Sequence, residues 1–160
     1  IQASLTGHLV LSTLHTNDAP SSITRLINIG VEPYLISASI NAVVAQRLVR
    51  KICEFCKTPL VEPREAVRAY LKKFDAADTQ LFHGAGCEKC RNTGYKGRLG
   101  IYELLLLNDD LRDIITRNPD LGEFRQAAQK LGMRTLREDG LQKIAAGMTT
   151  VDEIMRVTET

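Results

Sequence analysis

The chain has 160 residues, 44% of them hydrophobic and 25% charged, enough for one ordinary globular core or two small ones and too apolar for a disordered tail. Twenty-one basic against 19 acidic residues leave a formal charge of +2 with the cations scattered, which argues against a dedicated nucleic-acid binder. No charged leader precedes an apolar stretch, and the uncharged run from Pro33 to Gln46 is broken by Ser37, Ser39 and Asn41 and is too short for a bilayer. The reading is a cytosolic chain with only peripheral membrane contact. Because it opens on Ile1 and not on Met, a fragment is expected.

The opening stretch LTGHLVLSTLHTND, residues 5–18, reads as an apolar strand with a histidine near either end and a polar exit. His8 and His15 are an odd number of residues apart, so in one straight strand their side chains leave opposite faces at ends roughly 23 Å apart and cannot share a metal. In parallel α/β sheets, ligands collect outside the carboxyl ends of the strands. That rule puts His15, Thr16 and Asn17 in the functional position and His8 at the other end. An imidazole there can hydrogen-bond a phosphate oxygen or a positioned water; a histidine that merely satisfies backbone groups at a strand end is the plainer alternative.

Next come two helix patterns. Asn17 and Asp18 are capping types ahead of Pro20, Ile23, Leu26 and Ile27 share a face, and Gly30 can stop the helix in a left-handed conformation. A second helix is predicted from Pro33, with Ile36, Ile40, Val43 and Val44 at helical spacing, followed by a β-rich exit at Leu48, Val49 and Ile52. Strand, helix, helix and strand in that order belong to an α/β layered domain. From Cys53 to Cys90 the character changes to short elements punctuated by Gly, Pro and Cys, with one helix predicted over 64–74. A strand follows from Arg98. Residues 108–158 then read as three or four short helices, with Asn108 and Asn118-Pro119 as starts, Gly132 and Gly147 as stops, and Thr150 with Glu153 as a capping box.

Cys53-x2-Cys56 and Cys87-x2-Cys90 are two knuckle-like pairs that use all four cysteines of the chain. Four thiolates in that pattern suit one tetrahedral zinc; two disulfides or four reduced thiols are the alternatives, and a cytosolic setting favours zinc. Such a closed site is structural, because no position remains for a reacting water. Lys51, Lys57, Lys89, Arg91, Lys96 and Arg98 lie close to the cysteines. They read as a solvated rim and not as a nucleic-acid surface, since no aromatic residues alternate with them to stack on bases. The phosphate-cradling pattern G-x-x-x-x-G-K-[ST] occurs nowhere, so the chain alone is not expected to hydrolyse ATP.

IQASLTGHLVLSTLHTN at the start, AQRLVR from Ala45, the two Cys-x2-Cys pairs, GYKGRLGIYE from Gly94 and RVT from Arg156 together resemble the secretion traffic ATPases. This is the family of general secretion pathway protein E and the type IV pilus assembly ATPases, and the likeness covers essentially the whole chain. The resemblance implies an α/β fold in three parts: the C-terminal part of a RecA-like P-loop NTPase domain over 1–52, a tetracysteine zinc-binding insert over 53–97, and a mostly helical C-terminal module over 98–160. It makes the segment from Thr6 to Asn17 the histidine box near the γ-phosphate, with His15 and His8 as expected catalytic residues, His15 ranked first on strand geometry. Arg98 is expected to approach bound nucleotide from the C-terminal region, and Cys53, Cys56, Cys87 and Cys90 to hold a structural zinc. That insert occurs in the secretion and pilus-assembly branches and not in the retraction branch.

The family's Walker A loop, aspartate box and Walker B acid all precede the histidine box, so the chain is expected to begin after them. The implied whole machine is a cytosolic homo-hexamer, docked peripherally on an inner-membrane platform and its cytoplasmic-membrane components. It would use ATP and magnesium to drive assembly of a type II secretion pseudopilus or a type IV pilus, with no nucleic-acid partner. The details Asn17-Asp-Ala-Pro and Ser39-Ile-Asn-Ala lean toward the pilus-assembly branch. Two other classes remain as alternatives: a stand-alone zinc-stapled interaction module and, less favoured, a zinc-ribbon nucleic-acid binder.

Overall fold

The structure is a computed structural model describing residues 1–159, and it divides into two compact units. The first is made of Ile1–Gln46 and Tyr102–Thr135, the second of residues 47–101 and 136–159. Two long strands, β1 (Ala42–Ile52) and β4 (Tyr95–Leu106), pair in a two-stranded sheet, and the division between the units falls inside each of them.

In the first unit, α1 (Gln2–Leu5) is a single turn and α2 (Ala19–Asn28) is the helix predicted after the polar exit. Asp18 caps α2 by accepting from the Ser21 amide at 2.8 Å. At the other end Gly30 takes φ 92°, its amide bonding Ile27 and the Val31 amide reaching back to Leu26, the Schellman arrangement that satisfies the last carbonyls. α3 spans Pro33–Ser39, shorter than predicted. Val43 and Val44 belong to β1, where a β-branched side chain is less restricted than on a helix, and Arg112 from α5 (Asp109–Thr116) closes α3 by donating to the Ser37 carbonyl. Together with α6 (Leu121–Lys130), these elements bury Ala19, Ile23, Ile36, Leu105, Leu111, Ile115 and Phe124 in one core.

The predicted opening strand is not formed. Residues 8–16 have no regular structure, and Leu9 and Leu11 are 84% and 88% exposed. A strand needs a neighbour for its amides and carbonyls, and among the described residues the long strands pair only with each other.

In the second unit, β2 (Lys57–Pro59) and β3 (Phe82–Gly84) form a short antiparallel pair with Thr58 opposite His83. Between them α4 (Glu65–Lys73) contributes Val67, Tyr70 and Leu71 to a second core, which also takes Val49, Ile101, Leu136, Ile144, Val151 and Ile154. The last five come from β4, α7 (Leu136–Ala145) and α8 (Val151–Thr158). The four helices after β4 therefore divide by core, α5 and α6 in the first unit and α7 and α8 in the second. At α8, Thr150 accepts from the Glu153 amide, but the Glu153 carboxylate does not complete a capping box. It is 1% exposed and is taken instead by the Arg50 amide, the Arg50 guanidinium and Arg156, at 2.7 to 3.1 Å. A buried carboxylate is satisfied by charged donors more fully than by one backbone amide.

Candidate metal centre and histidine segment

The first knuckle turns at the end of β1, and the second is a single 3₁₀ turn, Glu88–Cys90, capped by Cys87. Their four sulfurs lie within 4.8 Å of one another. Cys53 to Cys87 and Cys56 to Cys90 are each 3.9 Å, and Cys87 to Cys90 is 3.8 Å. A tetrahedral zinc with bonds of about 2.3 Å holds its sulfurs about 3.8 Å apart, whereas a disulfide needs about 2.05 Å. The cysteines are free, and their spacing fits a metal ion and no cross-link.

Backbone donors complete the site. The Cys87 and Gly94 amides each lie 3.3 Å from the Cys90 sulfur. Burial works against a charged Cys90, but these two amides overcome it and lower the thiol to about 6. Cys56 is pushed by burial up to about 12, the difference expected when crowded thiols cannot all ionise without a cation. Two crossings of main chain fix the knuckles: the Cys53 amide bonds the Gly94 carbonyl, and the Ala85 amide bonds the Cys56 carbonyl, both at 2.9 Å. At one of them Gly84 faces Gly94 so closely that a Cβ on Gly84 would sit 2.0 Å from the Gly94 oxygen. Sequence reasoning did not single out this pair, although GAGC and TGY beside the second knuckle are its signal.

The histidine segment lies in the first unit. His8 is exposed beyond α1, with Nδ1 3.1 Å from the Thr6 hydroxyl, and His15 is exposed in the irregular stretch before α2. Its exit is tied down on several sides. The Thr16 and Ser22 hydroxyls meet at 2.8 Å, Arg125 pairs with Asp18 at 2.6 Å, and buried Glu103 accepts from the Ala19 amide at 2.8 Å. Burial raises the Asp18 carboxyl, but the Ser21 amide and Arg125 outweigh it and hold it below the usual range. Glu103 was not anticipated either; its signal is an acid at an inward position of β4, between Ile101 and Leu105. Arg98 is exposed on β4, in the portion that belongs to the second unit.

These features define a mixed α/β protein with a cluster of four cysteines that could hold a metal ion. Residues 1–156 match the family described as type II/IV secretion system protein, and the chain belongs to that family. It is 47% identical over 158 residues to the type IV pilus assembly ATPase PilB of Thermus thermophilus, covering 98% of this chain and 18% of that protein. It is 48% identical over 161 residues to type II secretion system protein E of Dickeya dadantii and 48% identical over 165 residues to the type II secretion system ATPase E of Vibrio cholerae, with 99% of this chain and 31% of each relative covered. The chain thus spans less than a third of the length of these relatives. The crystal structure of the pilus retraction motor PilT with bound ADP shares the fold, with a TM-score of 0.62 at 22% identity, covering 99% of this chain and 36% of that one. Among the described residues no helix is long and apolar enough to cross a membrane.

Proposed function

We propose that this chain is the C-terminal part of a cytoplasmic ATPase that powers assembly of a type IV pilus or a type II secretion pseudopilus. The observation that carries the reading is identity near one half, over 98% or more of the chain, to relatives named as ATPases of those two machines. Its first 52 residues are read as the end of a RecA-like domain whose phosphate loop, magnesium site and Walker B acid belong to preceding sequence. The intact protein is read as a homo-hexamer associated with an inner-membrane platform. ATP with magnesium is its substrate.

In this reading His15, with His8 as its partner in the histidine box, responds to the γ-phosphate of bound ATP. The ties from Thr16, Asp18 and Ala19 to Ser22, Arg125 and Glu103 support it, because they hold the backbone just after His15 while leaving the imidazole free to meet a ligand. Arg98 supplies a cation toward nucleotide. Cys53, Cys56, Cys87 and Cys90 hold zinc, which supplies a structural cross-link and no reaction step.

His15→Ala in the intact protein tests the assignment. ATP turnover should fall at least tenfold, with metal content and thermal stability unchanged. Wild-type turnover in that variant would remove the role of His15, and an intact protein that neither binds nor hydrolyses ATP would overturn the motor reading.

A further inference from the structure

Phe55 occupies the loop of the first knuckle, between Cys53 and Cys56, and is 63% exposed. Of the other three phenylalanines Phe124 is buried and Phe74 and Phe82 are partly so, which leaves Phe55 as the outlying ring. Two ammonium groups converge on it. Lys89 from the second knuckle and Lys96 from the start of β4 each place Nζ 5.2 Å from its centroid, and both residues are exposed. Arg91 and Arg98 are exposed nearby in sequence, while the adjacent acid Glu54 is paired with Lys51 at 2.6 Å. Cation–ring contacts at exposed sites contribute only about 0.5–1 kcal/mol, so what distinguishes Phe55 from other exposed apolar side chains is the pair of cations over its ring. The Cys53 amide bonds the Gly94 carbonyl and the Ala85 amide bonds the Cys56 carbonyl, which tie the loop that carries Phe55 to the segments leading to Lys96 and Lys89, so the arrangement is built before any ligand arrives.

We propose that the Phe55 face is a docking surface for an acidic segment of a partner protein, one in which a carboxylate lies beside an apolar side chain. The carboxylate bridges the Lys89 and Lys96 ammoniums, and its apolar neighbour lies on the ring. Charge complementarity selects this partner: two cations over one ring repel a purely basic segment and are left unpaired by a purely apolar one. A lipid surface is less well matched, because a single ring covered by charge is not a bare wedge for hydrocarbon. A nucleic acid lacks the row of rings on which successive bases stack. The surface does not depend on nucleotide chemistry and would serve an interaction module equally.

The test uses the intact protein with reduced thiols and a fluorescent peptide of alternating glutamate and leucine, compared with its glutamine counterpart. The acidic peptide should bind, weaken as salt is added, and bind about tenfold more weakly to Phe55→Ala and to Lys89→Gln. Metal content in both variants should match wild type, which shows that the knuckles remain folded. Absence of binding, or equal binding by Phe55→Ala, overturns the proposal. Preferential binding of phosphatidylglycerol vesicles or of a single-stranded oligonucleotide over the peptide also overturns it, assigning the face to that ligand instead.

Discussion

The Glu103 carboxylate accepts a hydrogen bond from the Ala19 amide at 2.8 Å, linking an inward position of β4 to the first residue of α2 across 84 residues of sequence. Helix N-terminal amides have no partner within their own helix, and one that is buried must find an acceptor elsewhere. Glu103→Ala leaves this amide without its acceptor and should cost about 1–3 kcal/mol. Glu103→Gln retains a carbonyl in reach and should recover most of that loss. Chemical denaturation of the two variants checks the ordering.

Glu153 gives a pH dependence with a definite sign. Burial raises its carboxyl, but Arg156 and Arg50 overcome this and hold it at about 2, against an ordinary value of 4.5. A lowered folded value means stability that is complete above the ordinary value and is lost as pH falls from about 4.5 toward 2. The contribution is on the order of 3 kcal/mol. Acid also releases metal from thiolates, so wild type and Glu153→Gln should be compared at each pH: their stabilities should converge as pH falls through this window.

Removing one sulfur should open the proposed metal site. Cys87→Ser should lose metal binding and make the segment between the knuckles sensitive to protease, as should treatment of wild type with a strong chelator. Metal analysis and limited proteolysis read both effects. Four freely titratable thiols in the purified wild-type protein would contradict the assignment.

Gly84→Ala should mimic cysteine loss without touching a ligand. Its new Cβ would fall 2.0 Å from the Gly94 oxygen, a backbone atom with no rotamer to escape into, and Gly94 also carries the amide that supports Cys90. The expected result is weaker metal retention and a loss of about 1–3 kcal/mol. Gly132→Ala separates the two effects: at φ 96° an alanine is strained but meets no neighbouring atom, so it should lower stability and leave metal retention intact.

Local grammar was legible where the physics was local. Asp18, Gly30, Asn108 and Thr150 act as caps or stops at helix ends because those effects need only a few neighbouring residues. Each Cys-x2-Cys turn was legible for the same reason, and the use of all four cysteines in two such pairs pointed to their meeting across 34 residues. Illegible were features that depend on distant chain: residues 8–16 have strand composition but no pairing neighbour among the described residues, and the length of α3 is decided by the entry of Val43 and Val44 into β1. Glu153 looked like a local cap and is a long-range acceptor, because Arg50 lies 103 residues away in sequence. His8 and His15 were singled out by pattern and resemblance, whereas Glu103, which restrains the same segment, could be found only from its inward place on β4.

The interleaving of the two cores sets an order of events during synthesis. The core around α4 lacks Leu136, Ile144, Val151 and Ile154 until residue 154 has emerged, whereas the core around Phe124 has all its buried members once residue 128 has emerged. At elongation rates of about 5–20 residues per second, the segment carrying α4 therefore waits several seconds for its packing partners. Its four cysteines are complete at residue 90, well before that wait ends. Early capture of metal would hold the nascent loop closed in the interval, when its exposed Val67, Tyr70 and Leu71 are most open to aggregation.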